Sequence, residues 1–221
     1  SDRGPALLLL HGWSWPDNDP SRSMVSAAVA FQRAGFTVLV PSMRGWPPSG
    51  GEDDCAGKQV DDALQALEWL GRQSGVDADW LFLAGFSQGG QVALLAATYG
   101  APVQAVAAFA PVVQPGAWGA VTHVEGIRNY VVEECGGPDG WPSRDVMFRA
   151  SRLERPLLLV HGEADRRVPT QQSTGLYDRL TELQRPVKLE LIAGAEHDQD
   201  AVLQPQLAID FFRSIIGQHR E

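Results

Sequence analysis

Six short apolar runs are strung along the chain with helical patterns between them, and few architectures tolerate that alternation. The runs are Pro5–Leu10, Thr37–Val40, Trp80–Ala84, Val103–Phe109, Pro156–Val160 and Val187–Ile192. Each is nearly continuous in apolar residues, as strands buried on both faces of a parallel sheet require. Helices are predicted over about Ser23–Ala34, Gln59–Gln73, Ser87–Tyr99, Thr170–Leu183 and Gln206–Ile216. Val60, Leu64, Leu67 and Leu70 make one inward stripe; Leu207, Phe211 and Ile215 make another. Gly35 and Gly217 stand where helix stops belong. The expected fold is α/β: a mostly parallel sheet of about six or more strands with helices on both faces. Ligands of such sheets gather beyond the carboxyl ends of the strands.

The 221 residues suit one domain, residues 1–221. One segment, Val112–Ser151, breaks the alternation. It holds Trp118, Trp141 and the turn Gly136-Gly137-Pro138-Asp139-Gly140. A connection of this length is usually functional. We read it as a lid-like excursion beside the site; the plainer alternative is a surface excursion with one short helix.

A net charge of −9 without a basic run speaks against nucleic acid or an anionic membrane surface. No apolar run approaches the roughly 18–20 residues of a membrane span. No signal peptide is visible, but the chain starts at Ser1 rather than Met, so the compartment is open between the cytoplasm, the default, and export. Cys55 and Cys135 fit no metal motif and sit in polar, Gly-rich stretches. The expectation is two free thiols, with a disulfide as the alternative if the protein is exported.

The chemistry concentrates at Gly85-Phe86-Ser87-Gln88-Gly89-Gly90, between an apolar run and an Ala-rich helix. This is the G-x-S-x-G pattern in strand–turn–helix context. So tight a turn strains Ser87 and projects its hydroxyl at a helix N-terminus, where developing negative charge is favoured. The alternative is a Ser that caps the helix.

A serine hydroxyl needs a base. Of five histidines, His219 lies at the C-terminus and His123 in the excursion. His11 and His161 end strands, where an imidazole commonly makes a structural hydrogen bond. His197 follows the last strand, at the carboxyl edge, and is the candidate base. The base needs an orienting carboxylate. Asp165 follows the fifth strand and completes the chain order Ser, Asp, His. Its rivals are Glu163, Asp198 and Asp200; Glu163 reads as a supporting residue. The expected oxyanion donors are the backbone N–H groups of Gln88 and Trp13. Trp13, Trp118 and Trp141 are candidate substrate-binding residues, with Trp15 and Met147 as further pocket candidates. Arg44 reads as the partner of a nearby Asp, and Asp53 and Asp54 as solvated loop charges.

In these motifs the chain resembles the α/β-hydrolase superfamily, and most of all the catalytic domain of the prolyl oligopeptidase family. Leu10-His11-Gly12, Pro41-Ser42-Met43-Arg44-Gly45, Gly85–Gly90, Leu159–Asp165 with Val168-Pro169, and Cys135-Gly136-Gly137-Pro138 carry the resemblance. It implies Ser87, Asp165 and His197 as a catalytic triad. Gln88 stands where that family often has Tyr, and 221 residues leave no room for the β-propeller that its oligopeptidases generally carry. Gly-Phe-Ser-Gln-Gly-Gly is also similar to small carboxylesterases and acyl-protein thioesterases.

The leading functional expectation is therefore a serine carboxylesterase acting on small to medium esters. The alternatives are a peptidase or amidase on short peptides, an acyltransferase, and a non-catalytic ligand-binding member of the fold. The expected partner is a small-molecule ester or short peptide, with no cofactor and no metal; the sequence does not speak to oligomeric state.

Overall fold

A computed structural model describes residues 3–14, 19–122, 125–197 and 202–218. Its centre is a six-stranded sheet of β1 (Gly4–Leu10), β2 (Thr37–Leu39), β3 (Val76–Phe86), β4 (Ala105–Phe109), β5 (Leu157–Gly162) and β6 (Val187–Ile192), all parallel. The strand order is β2-β1-β3-β4-β5-β6.

The runs of the inner strands are continuous because both faces are covered, whereas edge strand β6 departs from the expectation, with Lys188 and Glu190 exposed. Ala6, Leu8 and Leu10 face one core, and Leu7 and Leu9 the other. The same alternation divides Leu81 and Leu83 from Phe82 and Ala84. Helices α1 (Val25–Arg33) and α8 (Pro205–Gln218) close one face, where Phe31, Phe36, Phe82 and Phe212 stack. Helices α2 (Lys58–Gly71), α3 (Gln88–Thr98) and α7 (Gln171–Glu182) close the other. Between β4 and β5 run α4 (Pro115–Val121), α5 (Glu125–Glu133) and α6 (Gly137–Arg144). None of the described helices is long and apolar enough to cross a membrane.

Three further expectations need correction. β3 begins at Val76, not Trp80, because Val76 pairs with Gly4 although Asp77 and Asp79 break the apolar run. Gly217 does not stop the last helix, which continues to Gln218. The excursion carries three short α-helices and a 3-10 turn (Met147–Arg152), not one helix.

The thiols are also paired: Cys55 and Cys135 form a disulfide, with 4.9 Å between their Cα atoms. Both are buried in an apolar cluster with Val112, Trp118, Val131 and Val168. The polar, Gly-rich flanks concealed an interior position.

Candidate active site

The turn from β3 to α3 strains Ser87 as the motif predicts. Its φ of 54° and ψ of −115° are strained for a residue with a side chain. Ser87 N–H donates to the Phe109 carbonyl at 2.8 Å, and its carbonyl accepts from Gln91 N–H at 3.1 Å. A Cβ on Gly85 would overlap the Gly89 backbone, and one on Gly89 would overlap the carbonyls of Leu10 and His11. Glycine at both positions thus lets strand and helix meet over the end of β1.

Three side chains converge here from distant parts of the chain. Ser87 Oγ lies 3.0 Å from His197 Nε2. His197 Nδ1 lies 2.6 Å from Asp165 Oδ2. His197 stands just beyond β6, its ring 5.1 Å from that of Phe86. Asp165 stands just beyond β5, where Arg167 and Val168 N–H groups each donate to its Oδ1 at 2.9 Å. Burial alone would raise the Asp165 carboxyl; hydrogen bonds from His161 and His197 outweigh it and hold the group below the usual carboxylate range.

His161 and His11 are structural. His161 Nε2–H donates to the Val168 carbonyl at 2.9 Å and lies 3.3 Å from Asp165 Oδ2. Its Nδ1 lies 2.7 Å from Ser173 Oγ. His161 therefore supports Oδ2, while the Arg167 and Val168 N–H groups hold Oδ1. His11 Nε2 accepts from Met43 N–H at 2.9 Å, so Nδ1 carries the proton and donates to the Gly12 carbonyl at 2.8 Å. Burial lowers its pKa and keeps it neutral.

The two expected oxyanion donors, Gln88 and Trp13, lie on segments that border Ser87. Gln88 opens α3, so its N–H has no carbonyl one turn back to serve. A Cβ on Gly12 would sit 3.2 Å from Ser87 Cβ, so the loop after β1 passes close to Ser87.

A small, mostly apolar cavity of about 60 Å³ opens at Ser87, walled by Trp13, Phe86, Trp118, Ile127 and Tyr130. Trp13 and Trp118 thus both line this cavity. Trp118 Nε1–H also donates to the Arg167 carbonyl at 2.6 Å. Trp141 does not line this cavity: it packs on Gly116 and donates to the Val131 carbonyl at 3.1 Å. Met147 packs against the main core instead. Trp15, His123, Asp198, Asp200 and His219 lie outside the described residues. Glu163 is exposed.

Arg44 pairs with Asp62 through two contacts of 2.5 Å. Asp53 and Asp54 are not simply solvated. Asp54 accepts from Gly57 and Lys58 N–H groups at the start of α2. Asp53 accepts from Cys55 N–H and from the side chains of Gln59 and Gln88. Tyr130 and Ile127 were missed although Ile127, Tyr130 and Val131 carry the i, i+3, i+4 spacing of an inward helix face.

Comparison with known proteins adds the family and the fold's relatives. The uncharacterized peptidase YtmA of Bacillus subtilis is 28% identical over 172 residues, which is 72% of this chain and 64% of that protein. Dipeptidyl-peptidase 5 of Porphyromonas gingivalis is 26% identical over 200 residues, 83% of this chain and 28% of that protein. This chain thus spans less than two thirds of either relative. A puromycin-hydrolyzing peptidase of Mycobacterium tuberculosis superposes with a TM-score of 0.80 at 21% identity, over 95% of this chain and 33% of that one, which establishes the shared α/β-hydrolase-type fold. Residues 22–217 match the prolyl oligopeptidase family, and the chain belongs to that family.

Proposed function

We propose that the chain is a serine hydrolase that cleaves short peptides or related amides through an acyl-enzyme on Ser87. The observation that carries this is the continuous line of hydrogen bonds from Ser87 Oγ through His197 to Asp165. In the proposed reaction His197 Nε2 takes the Ser87 proton as Oγ bonds to the substrate carbonyl carbon. Asp165 stays ionised and stabilises the imidazolium. The oxyanion is held by the Gln88 and Trp13 N–H groups, each worth roughly 2.7–4 kcal/mol in a comparable site. His197 then protonates the leaving amine as the carbon–nitrogen bond breaks. Water, deprotonated by the same imidazole, attacks the acyl-enzyme and frees Ser87.

The intact Ser–His–Asp set favours catalysis over a purely ligand-binding role. The sequence alone leads to an ester substrate. Family membership and two relatives with peptidase names favour the amide bond instead. The 60 Å³ cavity favours a small apolar side chain on the acyl side of the scissile bond.

The test is a panel of aminoacyl and dipeptidyl p-nitroanilides set beside p-nitrophenyl esters, with wild type and Ser87→Ala. Anilide cleavage lost in the variant is expected. Equal rates in both proteins would refute the nucleophile, and ester cleavage without anilide cleavage would restore the ester reading.

A further inference from the structure

The mechanism above uses the backbone of Gln88 and leaves its side chain unexplained. That side chain is buried, and its amide nitrogen lies 2.8 Å from Asp53 Oδ1, 2.6 Å from the Tyr130 hydroxyl and 3.4 Å from Gln59 Oε1. The same Asp53 Oδ1 accepts from Gln59 Nε2 at 2.9 Å and Cys55 N–H at 3.0 Å. Gln59 Oε1 accepts from Ala56 N–H at 2.7 Å. The loop before α2, the first turn of α2 and helix α5 therefore meet on the first residue of α3. The Cys55–Cys135 disulfide ties that loop to the end of α5 a second time.

This cluster is short of donors. Asp53 Oδ2 and Gln88 Oε1 are both buried with no close hydrogen-bond partner, and the Tyr130 O–H, which bears on Asp53, is the donor at hand. Each such acceptor is costly, and a native protein that keeps two together is keeping something else by doing so. Among the described residues Asp53 has no ion pair. The ionisable groups that bear on the cluster are Tyr130 and Glu134 from the α5 side, and Asp54 from its own loop. Among the described residues no cation pairs with the carboxylate, and hydrogen bonding holds it in place.

What the cluster keeps is the position of Gln88. Its N–H stands next to a strained residue and has no helical carbonyl to fix it. Strain at such a residue persists only when its surroundings over-determine it. A buried amide gripped from three directions does that, and the same amide reaches Tyr130 in the cavity wall. We infer that Asp53 is a positioning residue: its carboxyl, acting through the Gln88 side chain, sets the place of the Gln88 N–H beside Ser87 and of Tyr130 in the pocket wall. The inference rests on the proposed roles of Ser87 and the Gln88 N–H.

The test compares Asp53→Ala, Asp53→Asn and Tyr130→Phe with wild type at pH 8. Steady-state rates are normalised to active sites titrated with a fluorophosphonate, and thermal unfolding is recorded alongside. Asp53→Ala is expected to lower kcat per active site at least tenfold on the order expected for a shifted donor, with KM changed by less than about threefold. Asp53→Asn retains an acceptor for Gln88 Nε2 and adds a donor, so it is expected to restore kcat to within about threefold. Tyr130→Phe is expected to raise KM for substrates that fill the cavity. Wild-type kcat per active site in Asp53→Ala overturns the inference. So does a loss of activity accounted for entirely by fewer titratable sites, since that marks a purely structural role. A wild type that is unlabelled at Ser87 and matched by Ser87→Ala overturns the underlying reading and the inference with it.

Discussion

His197 Nδ1 and Asp165 Oδ2 are 2.6 Å apart, with both side chains almost wholly shielded from solvent. A neutral imidazole that donates at Nδ1 presents a lone pair at Nε2, which is the atom facing Ser87. Asp165→Asn can turn its amide N–H toward that ring and favour the wrong tautomer. A loss of about 10⁴ in kcat, with KM little altered, is expected from comparable triads. Initial rates on an anilide substrate check it. A loss below tenfold would mean that Asp165 does not set the tautomer.

His161 supports the same carboxylate, so its effect should appear through Asp165. Removing its N–H in His161→Phe also leaves Ser173 Oγ and the Val168 carbonyl without that ring. Loss of the His161 hydrogen bond lets burial raise the Asp165 carboxyl. Stability is the direct readout. A carboxylate held low in the fold stabilises it above its unfolded pKa, and that contribution is lost as pH falls through the folded value. Wild type should therefore resist acid unfolding further down the pH scale than His161→Phe. Acid-unfolding curves that superpose would contradict the coupling.

Asp53 gives the opposite sign. Burial raises its carboxyl from 3.8 to about 6, against hydrogen bonds from Cys55, Gln88, Tyr130 and Gln59. A raised folded pKa favours the fold fully below the unfolded value, near pH 4, and the advantage is lost as pH rises through 6. The ionised group then costs on the order of 3 kcal/mol near pH 7. Asp53→Asn removes that dependence. Its Tm relative to wild type should rise between pH 4 and 7 and level off above. A constant offset across that range would refute the linkage.

The disulfide closes a sequence separation of 80 residues. A loop of that length corresponds to about 4 kcal/mol of lost unfolded-state entropy, within a usual span of roughly 2–5 kcal/mol. The paired variant Cys55→Ala with Cys135→Ala should be destabilised by that order in denaturant unfolding. Its m-value should rise as the unfolded chain expands. Unchanged stability would show that the bridge adds nothing to the packed Val112, Trp118 and Val131 cluster.

The sheet was legible because its physics is local. Continuous apolar runs such as Leu7–Leu10 report burial on both faces, and the glycines around Ser87 report a turn that admits no Cβ. Asp165 and His197 were legible because each follows a strand and ligands gather at that edge. What escaped depends on contacts between segments far apart in the chain. Asp53 reads as a surface charge until Gln88, 35 residues on, donates to it. Cys55 and Cys135 look polar in context because their apolar neighbours come from α4, α5 and the loop between β5 and α7 in space, not from their flanks. Trp141 and Trp118 share an excursion and a residue type, and only the folded path separates the one on Gly116 from the one at the cavity.

Cavity size gives the last prediction. Ile127 and Trp118 bound a space of about 60 Å³ beside Ser87, small against the roughly 300–1,000 Å³ of a common ligand site. A larger group seated in this space must displace a wall, although a wider cleft of about 680 Å³ opens beside it along Gly12, Trp13, Phe86, Arg167 and His197. Ile127 sits on α5 with its side chain partly buried, so truncation widens the cavity without opening the main core. Each methylene accommodated in an apolar pocket is worth about 1–3 kcal/mol in discrimination. Ile127→Ala should therefore shift the ratio of kcat/KM for a Phe-p-nitroanilide over an Ala-p-nitroanilide upward by at least tenfold. The gain for the large substrate should exceed any loss for the small one, because the wall is moved and the nucleophile is not. A ratio that stays within twofold of wild type would show that the acyl group binds elsewhere in the cleft.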